Sequence, residues 1–431
     1  MRLQCSTWTA LSVQTEHGTS TPALFQACHT LVQALPNALS EGSLSSEDCW
    51  ALRHELFNLA CTWTRDQVIL RQICYLVAFS TFLGVASTRV EEGKSKTAAD
   101  TLQLVSSNIP IGLDITAQLV EHFDTHDSTG RIKRLLPGLT WSAGAAARRY
   151  FVDYLFVDLL GFVCNTIRIE PTLLGFKALR GLLFLQVEDA EKIPGVFGSS
   201  QRDGSEEGIV SPISLPTQLE HHVLTSEMLN LLVESYFRSL AIRSEAACFE
   251  CYSCLAALCR SNPEASDITR WRTAVMQAIT LLGQPLMRVS ARLPSQYSSH
   301  IIGIIQAHLS ASSAMVLSAT PPEHLHQLLD ILHKATMSLA ESSTGVDLDE
   351  DSLNSFSIAC SVYTQLLELV QDESIANSPK MIEHASAVHE RMGEVVETWL
   401  EMHLKAIETN VHLFGHYRYE HNVDQVCCLC V

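Results

Sequence analysis

Apolar residues recur at three- and four-residue intervals along nearly the whole chain and almost never alternate with polar ones. That spacing keeps one stripe of a helix apolar, whereas a half-buried strand needs a period of two. Aromatic residues make up only 7% of the chain and alternating β-branched runs are nearly absent, which argues further against sheets. The prediction is an all-α fold, either an irregular α-solenoid or a multi-helix bundle of antiparallel helical hairpins.

Stop signals divide the pattern. Pro22 to Ala34 is a first amphipathic segment, closed by Pro36-Asn37. Ser46–Thr64, Arg65–Ser87, Thr97–Ser106, Asp114–Phe123, Ala143–Thr166 and Pro171–Val187 follow. Ile193 to Pro216 then holds four glycines, three prolines and five serines. Such a segment buries too little apolar surface to offset its ordering entropy. The expected organisation is a helical region over 1–191, a linker over 192–216 and a helical array over 217–431. Within that array, helices are expected to open near Thr217, Ser244, Ser266, Pro294, Pro321, Asp351 and Pro379. Thr320-Pro321-Pro322-Glu323 has the order of a capping box, with Pro321 at the first helical position.

Consecutive amphipathic helices rich in Leu, Ala and Cys, as in Leu173–Leu183 and Ala246–Arg260, resemble the HEAT/armadillo class of helical repeats. The resemblance is one of texture. No residue motif recurs from unit to unit, and the hairpin period of about 50–58 residues exceeds the roughly 40–47 of that class. It implies stacked helices and assigns no site.

Charge narrows the functional classes. The formal net charge is −18, and a phosphate-binding protein gathers cations instead, so direct nucleic-acid binding is not expected. The excess sits at the end: Pro321 to Val431 holds 18 acidic residues against 5 basic ones. Asp127 to Arg180 leans the other way, with 8 basic against 4 acidic. Glu390, Glu394, Glu397, Glu401 and Glu408 follow steps of three, four and seven, which keeps them on one helix face. This row is the predicted partner-binding surface, complementary to a basic protein or to the chain's own Arg131, Lys133, Arg134, Arg148 and Arg149.

The chain has 14 cysteines and no long apolar run among its first residues, so no secretory signal is expected. Reduced thiols and a cytoplasmic or nuclear location follow as expectations. Gln72 to Thr88 is uncharged but short of the roughly 20 residues a membrane span needs, and reads as a buried core helix. No stable membrane insertion is expected.

Motifs that could carry chemistry fare poorly. Cys248, Cys251, Cys254 and Cys259 approach the spacing of an iron–sulfur run, but the fourth comes one residue late and Arg260 stands where proline belongs. On a helix these cysteines form a core-facing stripe with Leu255 and Leu258. The terminal Cys427-Cys428-Leu429-Cys430-Val431 is an imperfect prenylation box without basic residues beside it, leaving lipidation of Cys427 or Cys428 as a minor reading. His412 and His416 share a face, near His403 and His421, but lack the glutamate of a zinc peptidase. His126-Asp127 sits in turn chemistry. Asp347-Leu348-Asp349-Glu350-Asp351 is the only feature a terpene cyclase could use, and that family's second motif is missing. No catalytic residue, cofactor or metal is assigned. The functional expectation is a non-catalytic protein-interaction scaffold. The alternatives are the all-α regulatory region of a fungal-type transcription regulator without its own DNA-binding module, and then an all-α enzyme.

Overall fold

A computed structural model describes residues 21–41, 45–62, 66–87, 94–124, 141–185, 212–213, 215–263, 268–288, 294–312, 321–342, 350–371 and 379–409. Among these residues every regular element is a helix. By internal contacts the chain divides into two units, Met1–Gly204 with Ser214–His222 and Ser205–Ile213 with Val223–Val431. Of the expected linker, only residues 212–213 and 215–216 are described.

The first unit contains α1 (Thr21–Ser40), α2 (Ser46–Thr62), α3 (Gln67–Ser87), α4 (Lys94–Ser107), α5 (Ile109–Phe123), α6 (Trp141–Tyr150), α7 (Phe156–Ile169) and α8 (Leu173–Leu183). Its centre is α3, which packs on α1, α2, α5 and α6. Apart from Tyr75, every residue from Ile73 to Val85 is buried. Two helical stretches here, Gln67–Ala86 and Ala143–Ile169, are long and apolar enough to cross a membrane; 72% and 56% of their most apolar windows are buried.

Local chemistry explains the boundaries. Ser45 and Asp48 cap α2 reciprocally: the Ser45 Oγ accepts from the Asp48 N–H at 3.1 Å, and the Asp48 carboxylate accepts from the Ser45 N–H at 2.9 Å. Pro36 was expected to end α1, yet the helix continues to Ser40. Leu24, Cys28, Leu31, Leu35 and Ala38 form one buried stripe, and packing that stripe on α3 outweighs the missing donor. Between α4 and α5 the chain turns so tightly that a Cβ on Gly112 would lie 1.9 Å from the Val105 carbonyl oxygen.

The segment expected as one helix over Ala143–Thr166 is interrupted by a π turn, Phe151–Leu155, in which the Phe156 N–H donates to the Phe151 carbonyl. Its buried pairs are Ala147-Arg148, Phe151-Val152, Leu155-Phe156 and Leu159-Leu160, a repeat of four. On an α-helix of 3.6 residues per turn such pairs drift around the axis by about 40° per step. One wide turn takes up the drift and keeps them all inside.

The second unit contains α10 (Ser226–Ala241), α11 (Glu245–Arg260), α12 (Ile268–Gly283), α13 (Ser295–Ser310), α14 (Pro322–Ser342), α15 (Glu350–Val370) and α16 (Pro379–Thr409). The short α9 (Thr217–Val223) precedes them. The segment expected to open at Thr217 therefore breaks at Leu224-Thr225, where the Thr225 hydroxyl accepts from the Met228 N–H at 3.1 Å and starts a new helix. At α14 the carbonyl of Pro321 accepts from His324 and Leu325. Pro321 is thus the cap and Pro322 the first helical residue, one position later than expected; Thr320 lies outside the described residues.

Packing in this unit follows a simple rule. Each helix lies against the next but one: α10 on α12, α11 on α13, α12 on α14, α13 on α15 and α14 on α16. Sequential neighbours also pack, as in α10 on α11, α13 on α14 and α15 on α16. Even- and odd-numbered helices therefore form two rows. The rows are joined at the end of α11 by Arg272 of α12, only 2% exposed. Its guanidinium donates to the Ser261 carbonyl (2.8 Å), the Cys259 carbonyl (2.5 Å) and the Asn262 side-chain oxygen (2.9 Å), and lies 3.4 Å from His308 Nδ1 of α13.

At the turn from α10 to α11, Arg243 has φ 57°, the left-handed region. The Ser244 N–H donates to Ser239 O and the Arg243 N–H to Leu240 O, the two bonds of a Schellman motif whose left-handed position is usually glycine. Arg243→Gly should therefore stabilise the unit by about 0.5–1 kcal/mol. Urea unfolding of the two proteins checks this; an unchanged or lower midpoint would show that the Arg243 side chain compensates its backbone strain.

Candidate functional site

The acidic row occupies the outer face of α16. Met381, His384, Val388, Met392 and Val395 turn inward and are buried, while Glu390, Glu394, Glu397 and Glu401 are exposed. Ile382 and Leu400, at 59% and 45% exposure, flank the same face. Gly393 lies between them, with open space where a side chain would stand. Glu408 falls within the helix, and its side chain lies outside the described residues, as does that of His403.

One member of the row differs from the others. Glu394 lies 3.3 Å from Arg391 and 3.4 Å from His333 Nε2, and Arg391 pairs with Asp330 of α14 at 2.7 Å. Burial holds His333 below its ordinary pKa, with Glu394 opposing that shift. Glu394 thus belongs to a clasp between α14 and α16. Half-exposed pairs of this kind add little to stability, about 0–1 kcal/mol each, but they neutralise that carboxylate. Glu390, Glu397 and Glu401 make no ion pair among the described residues.

Of the basic residues considered as an internal complement, Arg148 is buried and Arg149 exposed on α6; Arg131, Lys133 and Arg134 lie outside the described residues. So do Cys427 and Cys428, His412, His416 and His421, His126-Asp127, and Asp347 to Asp349.

The cysteine stripe of α11 is buried. Cys251, Cys254 and Cys259 are fully inaccessible and Cys248 nearly so. The Cys251 thiol donates to the Leu232 carbonyl at 3.3 Å. Burial raises the thiol of Cys248, lifts Cys251 far above the ordinary value and pushes Cys259 up to about 12. Protonated, inaccessible thiols are poor ligands and poor nucleophiles. From Ser253 to Cys259 the helix is buried on every side, and small Ala, Ser and Cys side chains let neighbouring helices approach it closely. Among the described residues, no three His, Cys, Asp or Glu side chains are grouped to hold a metal.

Two polar centres went unread in the sequence. Arg272 is one; its signal is a charged residue at helical spacing with Val275, Met276 and Ile279, all buried. The other joins α10, α11 and α13. His300 Nδ1 lies 2.8 Å from the Tyr236 hydroxyl and its ring stacks on Tyr252 at 4.4 Å. No short-range pattern links three helices so far apart in sequence. No family model matches the chain, and no curated protein or solved structure is significantly similar to it.

Proposed function

We propose that this chain is a non-catalytic interaction scaffold, that its second unit is a short α-solenoid, and that the outer face of α16 receives a protein partner with a basic surface. The observation that carries the reading is the exposed face itself. Glu390, Glu397 and Glu401 make no ion pair among the described residues and stand beside exposed Ile382 and Leu400. Glu397 and Glu401 are four residues apart, and like charges at that spacing weaken an isolated helix by a few tenths of a kcal/mol. A basic partner would relieve that repulsion, and the two apolar side chains would be covered in the same contact. The two-row packing supports the solenoid, because stacked helices contact near neighbours and leave long outer faces free.

The test is the triple reversal Glu390→Lys, Glu397→Lys and Glu401→Lys, which spares the Glu394 clasp. The far-UV circular dichroism spectrum should be unchanged. Co-purifying partners should associate about tenfold more slowly at low salt, with the difference shrinking as salt is added. If every partner associates with wild-type kinetics, the face is solvated surface only and the scaffold reading loses its site.

A further inference from the structure

The first unit carries a second feature that this reading does not use. Between α4 and the stretch leading from the π turn into α7 lies an open groove of about 530 Å³. Its floor is apolar: Ala98 and Leu102 from α4, Tyr154 and Val157 from the other wall. Its rim carries Asp153 and Asp158. None of the lining residues is cationic, and neither carboxylate is paired with a cation among the described residues.

The groove stays open for local reasons. From α4 the short side chains of Ala98, Ala99 and Ser106 leave space around Leu102 and Gln103. Tyr154 stacks back on the buried Tyr150, with ring centroids 5.3 Å apart, and so forms a wall instead of a plug. Tyr154 and Val157 remain 40% and 41% exposed. The π turn holds Phe151, Val152, Leu155 and Phe156 inward, which leaves Asp153 with Tyr154 and Val157 with Asp158 facing out as two pairs. π turns within longer helices are frequently found at functional positions.

We propose that this groove is the docking site for a basic amphipathic helix of a partner protein. An open hollow between two helices suits a third helix laid against them better than an enclosed small molecule. The two carboxylates stand five residues apart, about 7.5 Å along the axis. Two Lys or Arg residues four apart on the incoming helix stand about 6 Å apart along its axis, a difference their flexible side chains span, and a Leu or Met between them meets Leu102, Tyr154 and Val157. The carboxylates select charge and approach, while the apolar floor supplies the buried contact. The site lies in the other unit from the α16 face and does not depend on it.

The probe is a fluorescein-labelled helical peptide of Leu, Ala and Arg, with Arg pairs bracketing each Leu, beside a counterpart with Glu in place of Arg. Fluorescence anisotropy with the full chain should show saturable binding of the Arg peptide only, weakening as salt is raised. Asp153→Asn with Asp158→Asn should weaken binding about tenfold or more, and so should Ala99→Arg, which obstructs an exposed position in the groove. All three substitutions are at exposed sites and should leave the circular dichroism spectrum intact. The α16 triple reversal should bind the peptide like wild type, so failure of the groove and failure of the α16 face are distinguishable. Absence of binding, or binding of the Arg peptide by the Asn and Arg variants at wild-type strength, overturns the proposal. So does full competition by spermidine at concentrations comparable to the peptide's, which would make the groove a small-cation site.

Discussion

Arg272→Met should cost the second unit about 1–3 kcal/mol, the range for a buried acceptor left without its donor. The side chain removed is nearly inaccessible, and no carboxylate pairs with it among the described residues. Its partners are the Cys259 and Ser261 carbonyls and the Asn262 side chain, at the negative end of the α11 dipole. Burial lowers its pKa only to about 10, so it remains charged at neutral pH. Methionine fills similar space but leaves the buried Cys259 carbonyl without its donor, at about 1–3 kcal/mol. The Ser261 carbonyl keeps the Trp271 indole N–H at 2.8 Å, and the exposed Asn262 side chain turns to water. Lysine retains the charge without the planar fork and should recover only part of the loss. Urea unfolding gives the magnitude, and hydrogen exchange over residues 245–283 locates it. A loss below about 1 kcal/mol would mean that water serves those carbonyls equally well.

Acidification should destabilise the same unit through two buried histidines. Burial pushes His300 down to about 4, and burial with Arg272 nearby pushes His308 down to about 3. Unfolded, both titrate near 6.5. Between those values the unfolded chain binds protons that the folded chain refuses. Stability is therefore fully present above pH 6.5 and falls as pH drops toward 4, by up to about 1.4 kcal/mol per pH unit for each histidine. From pH 7 to 5 the pair should cost about 3–4 kcal/mol in total. His300→Gln with His308→Gln should lower stability at pH 7 and flatten this dependence, since carboxylates common to both proteins cancel in the comparison. Parallel pH profiles for the two proteins would exclude these histidines as the cause.

Fold class was legible because helical spacing marks the amphipathic core stripes, as in Leu24–Ala38 of α1 and Met381–Val395 of α16. The openings at Ser244, Pro294, Pro321 and Pro379 could be read to within a residue, because caps and prolines act through atoms a few positions away. Pro36 misled because its local penalty is outweighed by tertiary burial of Leu35 and Ala38, which no window of sequence contains. The π turn left a trace in the four-residue spacing from Ala147 to Leu160 that an idealised 3.6 period conceals. The exposure of Glu390, Glu397 and Glu401 followed from helix geometry alone. The engagement of Glu394 did not, since it depends on His333 of α14, 61 residues away. Groove and histidine centre share that difficulty: side chains from separate helices meet only once those helices have packed.

The two-row packing of α10 to α16 also governs how damage travels. In the proposed solenoid, where helices pack mainly on near neighbours in the chain, opening one end exposes surface only locally, and the energy required does not grow with the length of the array. The last helix can fray from α14 and α15 while α10 to α13 keep their shared core. A lesion at Arg272 strikes the middle, where α11, α12 and α13 meet, and leaves two short remnants, each with one row unfinished.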